Sequence, residues 1–121
     1  MKVLLHVLLR LRVFFVKALY IYMHIEVSPS QRKDKKFKAV VDGTKTIHFG
    51  SKGASDFTLH GSEVRKQRYI NRHQKNEDWS DPTTAGFYAK HLLWNKPTLQ
   101  GSIRDTNKHF QGIHIAYRSH S

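Results

Sequence analysis

Arg65, Arg68, Arg72 and Lys75 follow one another at steps of three, four and three residues, the spacing that gathers side chains on one face of a helix. Cations in such a row suit the repeating phosphates of a nucleic-acid backbone, and Tyr69 beside them offers a ring on which a base could stack. The same spacing also describes an ordinary solvated helix face. No recognised DNA-reading motif accompanies it, so the expected binding lacks strong sequence specificity. The balance of the whole chain points the same way. Its 21 Lys and Arg outnumber 9 Asp and Glu, a formal charge of +12, with nine His in reserve. Such an excess favours nucleic acid, an anionic membrane surface or an acidic protein surface as partner.

The other reactive residue types are not spaced for chemistry. No His-Glu-x-x-His occurs and the carboxylates are scattered, so no metal is expected. His48, His60, His73 and His91 could converge only through the fold, and His48 between Ile47 and Phe49 reads as a structural residue of a strand. Gly43-Thr44-Lys45-Thr46 lacks the earlier glycine of a phosphate loop and leads into a strand-like run. Gly50-Ser51-Lys52-Gly53 reads as a plain loop, or as a backbone nest for an anion. The chain has no cysteine, which excludes disulfides, thiolate metal sites and Cys nucleophiles. Nothing resembles a nucleophile elbow. A non-enzymatic protein is expected, with no cofactor and no small-molecule substrate.

The elements that must carry these residues are legible. Ser62 is placed to cap the helix of the cationic row, with Glu63 in its first turn and an end near Lys75. Before it, runs over 37–41 and 45–49 flank Asp42-Gly43, a strong hairpin signal. After it, Asp81 is placed to cap a buried helix over 83–94, with Pro82 at the first position. Asn95 and Pro97 end that helix, and Thr98 caps a third, with Leu99, Ile103 and Phe110 on one face. Phe87, Leu92, Leu93, Trp94 and Leu99 are the expected core anchors. Residues 113–117 alternate weakly, as a last strand or tail over 113–121. The fold class is therefore α+β, a small domain with an N-terminal β-hairpin and about three helices over 37–112. A unit of this size buries only about 60% of its unfolded surface, which itself hints at assembly with partners.

Residues 1–27 form an apolar extension, and the polar, basic stretch 28–36 reads as a linker. Arg10, Arg12 and Lys17 interrupt the apolar run, which argues against a secretory signal and against a spanning helix. At 100° per residue, His6, Arg10, Lys17 and His24 fall within about 40° of one another, the pattern of an amphipathic helix. Arg10, Phe14, Phe15 and Lys17 would anchor such a helix to a membrane or an apolar protein surface. From residue 19 to 27 the pattern alternates with period two, so a helix to about Lys17 followed by a strand satisfies both. The competing reading is a non-native upstream extension, with Met23 as the start.

Thr46-Ile47-His48-Phe49-Gly50, Ser55-Asp56-Phe57-Thr58-Leu59-His60 and Arg68-Tyr69-Ile70-Asn71-Arg72-His73 are blocks that, read in order, resemble an uncharacterised family of small proteins from nucleocytoplasmic large DNA viruses. Asp78-Trp79, Asp81-Pro82 and Thr84-Ala85-Gly86-Phe87 continue the series, and Leu92-Leu93-Trp94-Asn95-Lys96-Pro97-Thr98-Leu99 is its most specific part. The resemblance runs from about Lys35 to Phe110 and leaves the N-terminal segment outside. It implies no reaction. It implies a viral structural protein, expected to be a minor capsid component that joins shell subunits to one another or to an inner membrane. Its partners would be other capsid proteins, and its location the capsid layer of the virion, with assembly in the host cytoplasm. The alternative is a basic nucleic-acid-binding protein.

Overall fold

Alternation of apolar and polar residues builds the sheet. In the computed structural model, which describes residues 22–119, strands β1 (Met23–Pro29), β2 (Lys35–Val41), β3 (Lys45–Ser51) and β4 (Ile113–Tyr117) form one sheet of order β3-β2-β1-β4. β1–β2 and β2–β3 are antiparallel, and β4 runs parallel to β1. Ile25, Val27, Ala39, Val41, Ile47, Phe49 and Ile115 are all buried, and all sit at odd-numbered positions on the face that the helices cover. His24 and His114, at even positions, are exposed on the other face. The Asp42-Gly43 turn forms as its sequence requires. Both residues have positive φ (50° and 71°), and the Thr44 N–H closes on the Val41 carbonyl at 3.0 Å.

The fold class is α+β, and among the described residues there are four helical stretches. They are α1 (Phe57–His60), α2 (Glu63–His73), α3 (Ala85–Tyr88) and α4 (Leu99–His109). α3 continues without a break into a π-helical turn, Ala89–Leu93, in which the Trp94 N–H reaches back to the Ala89 carbonyl at 3.1 Å. Phe87 and Leu92, and likewise Tyr88 and Leu93, stand five residues apart and are all buried. A five-residue hydrogen-bond step places both pairs on the sheet, which a regular α-helix would not.

Three boundaries differ from the expectation. The stretch 28–36 is not a linker: Ser28 is 1% exposed, Pro29 pairs with Phe37, and the Arg32–Asp34 ion pair (2.8 Å) closes the turn of a β1–β2 hairpin. Its polar composition reflects an exposed turn, not an interdomain spacer. Residues 23–27 do not belong to an extension but to an interior strand, and 113–117, read as a last strand or tail, form the strand β4 parallel to it. Two strands alone would be marginal, and β1 and β4 complete the core with Ile25, Val27 and Ile115. The buried helix begins at Ala85, capped by the Thr84 hydroxyl, which accepts the Phe87 N–H at 3.2 Å. Asp81 caps the preceding turn instead, through the Thr83 N–H (2.9 Å), while the Pro82 carbonyl accepts the Tyr88 hydroxyl (2.6 Å). The amphipathic segment with Arg10, Phe14, Phe15 and Lys17 lies outside the described residues. Among those described, no helix is long and apolar enough to cross a membrane.

A cationic helix face and the cleft behind it

α2 starts where its sequence places it. The Ser62 hydroxyl accepts the Arg65 N–H at 3.3 Å, and Glu63 lies in the positive first turn. Arg65, Arg68 and Arg72 stand exposed along one side, and Lys75, exposed in the turn just past the helix, extends the row. Among the described residues, none of the four makes an ion pair. Tyr69 is the exception in the predicted set. It is 6% exposed and its ring stacks with Trp94 (4.6 Å, 5° between planes) and His73 (4.3 Å). A ring this buried offers no platform for a base. Burial, and then the charge of Glu77, push its phenol well above the ordinary tyrosine range.

Tyr69 and His73 turn inward onto a cleft of about 420 Å³ between the open end of β2–β3, α2 and the start of α3. Two side-chain pairs shape it. Lys36 Nζ donates to Asp56 Oδ2 at 2.7 Å, with their side chains 16% and 4% exposed. Asp56 also caps α1 by accepting the Thr58 N–H (2.9 Å) and hydroxyl, which holds both carboxylate oxygens in place. Opposite, His73 Nδ1 meets Glu77 Oε1 at 3.0 Å, and the Trp79 indole N–H donates to Glu77 Oε2 at 2.7 Å. Gly86 admits this carboxylate: a Cβ there would lie 3.0 Å from Glu77 Oε2. With Nδ1 facing a carboxylate, the imidazole is oriented, and among the described residues its Nε2 has no partner. Lys35 and Arg72 stand at the rim. Lys35 shares the helix-facing side of β2 with Phe37.

The four histidines do not converge. His48 meets the Ser30 hydroxyl at 2.8 Å. His60 accepts the Ser62 N–H on Nδ1 (2.9 Å) and packs 5.4 Å from the Trp94 ring, its buried Nε2 unpaired. His91 lies between Phe87 and Phe110, and its Nε2 is 2.7 Å from the Trp79 carbonyl. Burial lowers its pKa below the ordinary histidine value. Among the described residues no three His, Asp or Glu side chains are grouped to hold a metal ion. The 50–53 segment forms no anion nest: the Lys52 N–H is spent on the Asp34 carbonyl at 2.9 Å, as a second β-hairpin contact. Of the expected core anchors, Phe87, Leu92 and Leu93 are buried, while Trp94 and Leu99 are partly buried against them.

A second hollow, about 500 Å³, lies on the open face of the sheet between His24, Glu26, Val40, Asp42 and His114. Its acidic groups are engaged. Asp42 accepts the His24 N–H (2.9 Å), and Glu26 faces Arg118 at 3.4 Å. The cleft behind α2, by contrast, has uncompensated cations at its mouth. Sequence reading missed the Lys36–Asp56 and His73–Glu77 pairs. The second carried a local signal, a four-residue step at a helix end; the first, twenty residues apart, carried none.

Residues 25–73 match the model of a family described only as of unknown function (DUF5754). That span runs from β1 to the last residue of α2, and so holds Lys35, Lys36, Asp56, Tyr69, Arg72 and His73. No curated protein and no solved structure matches the chain.

Proposed function

We propose that this protein is a non-enzymatic nucleic-acid-binding module that grips a phosphate backbone along the outer face of α2, without strong sequence specificity. One observation carries the reading: Arg65, Arg68, Arg72 and Lys75 are exposed in one row and, among the described residues, none has an acidic partner. A cation row on a convex helix can release counterions from several phosphates at once, and such binding weakens steeply with salt. The formal charge of +12 adds long-range attraction. The test is the affinity of the full chain for single- and double-stranded DNA of unrelated sequence at two salt concentrations. Affinity that is similar between sequences and falls steeply with salt supports the reading; salt-independent or absent binding ends it.

A second reading, a minor capsid component of a large DNA virus, draws on the resemblance and on one surface feature. Leu59 on α1 and Val64 on α2 are 69% and 62% exposed, and a neighbouring protein could cover them. Quantitative mass spectrometry of purified virions tests it: stoichiometric copies support it, and absence from the particle removes it.

A further inference from the structure

The cleft behind α2 has the charge and shape for a different form of phosphate from the one that suits the outer face. Lys36 and Asp56 balance each other, and Glu77 is held by the His73 ring and the Trp79 indole N–H. Lys35 and Arg72 at the rim remain unanswered among the described residues. Lys35, Lys36 and Arg72 face Asp56 and Glu77, so the cleft is cationic on balance, and its two rim cations border one concave space. An internal phosphodiester brings a single charge and is flanked by sugar on both sides, so it suits a convex row of cations. A phosphomonoester brings about −1.5 to −2 and three free oxygens on one end of a molecule, and so can enter a cleft. His73 supplies the directional contact. Glu77 holds Nδ1, which orients the ring and leaves Nε2 as the nitrogen that meets a phosphate oxygen or its P–OH group. The edges of Tyr69 and Trp94 give an apolar wall for the attached sugar or base ring.

We propose that this cleft binds a phosphomonoester group, the terminal phosphate of a nucleic-acid strand or of a free nucleotide, between Lys35, Arg72 and His73. The site stands on its own residues, although the strand-end form of it rests on the nucleic-acid reading above and shares Arg72 with the outer face.

The full chain would be titrated by calorimetry with one oligonucleotide in three forms: 5′-phosphorylated, 3′-phosphorylated and unphosphorylated. A nucleoside monophosphate and inorganic phosphate would be titrated in parallel, with amide NMR signals of His73 and Trp79 followed. At least one phosphorylated form is expected to bind about tenfold more tightly than the unphosphorylated strand, as one added charge-assisted contact set implies. Lys35→Ala and His73→Gln should each remove most of that gain, with Lys35→Ala, at a partly exposed position without an ion pair among the described residues, leaving the fold intact. Arg65→Ala with Arg68→Ala should weaken all three strands and keep the gain. If the mononucleotide shifts the His73 signal as the strand does, the ligand is a free nucleotide; if only the strand does, it is a strand end. Equal affinity for all three strands, with no shift from phosphate or nucleotide, would overturn the proposal. So would a gain that survives Lys35→Ala and His73→Gln. Loss of binding to every strand with the phosphate-induced shifts retained would remove the outer-face reading alone.

Discussion

The two flanks of α2 carry similar residue types and answer their charges in opposite ways. On the outside, Arg65, Arg68 and Arg72 stand in water and, among the described residues, form no ion pair. On the inside, Lys36 is held by Asp56, and His73 by Glu77 and through it by Trp79. The difference follows from solvent. Water screens an exposed cation, so leaving it unpaired is nearly free, whereas a buried charge without a partner costs several kcal/mol. An unpaired exposed row is available to another molecule. A paired inner set is fixed, and what it offers a ligand is shape and direction. One helix thus separates capacity for long-range attraction from a site with defined geometry.

The comparison breaks most visibly in stability measurements. Lys36→Ala strands the Asp56 carboxylate and should cost about 3–4 kcal/mol by chemical denaturation, while Arg65→Ala should stay within about 0.5 kcal/mol. Similar values for the two would mean the inner pair is not buried in the sense argued. Trp94→Ala removes the flat partner of Tyr69 and should cost about 3 kcal/mol, read the same way. On the outer flank the effect belongs to binding instead. Arg65→Glu combined with Arg68→Glu should lower DNA affinity about 100-fold, or about 2.7 kcal/mol, and flatten the salt slope by about 2, with the melting temperature unchanged.

Two smaller effects sharpen the contrast. His91 has a folded pKa below its unfolded value of about 6.5, so the unfolded chain takes up the extra proton first. Stability should be complete above that pH and decline as pH falls below it, by at most about 1.4 kcal/mol per pH unit from this group. His91→Gln should remove that part of the slope, measured as denaturation free energy between pH 7 and 5. Ser62→Ala removes the cap common to both flanks. It should cost about 1 kcal/mol while leaving DNA affinity within about twofold.

Local signals made much of this fold readable. Ser62 and Thr98 cap the helices they were expected to cap, with the Thr98 hydroxyl accepting the Gly101 N–H at 3.0 Å. Asp42-Gly43 turns as its positive φ angles demand, and 23–27 and 113–117 become strands. Each depends on residues within a few positions of each other. Composition misled where exposure was mistaken for chain separation, as in 28–36. It also misled at Tyr69, whose helical position next to the cations gave no sign that Trp94, twenty-five residues on, would cover its ring. The cleft was hidden for the same reason: Lys36 and Asp56 are anonymous until two strands and a short helix bring them together.

The sequence by itself determined the charge, the cationic row, the periods of the strands and helices and most of their caps, because propensity and capping act over a few residues. Tertiary structure alone decided that β1 lies inside the sheet with β4 beside it, that the chain after α3 widens into a π turn, and that Tyr69 faces inward. It also decided which charges are paired. Those outcomes depend on which apolar faces are buried together and on the penalty for an unpaired charge away from water, and both are properties of the assembled core.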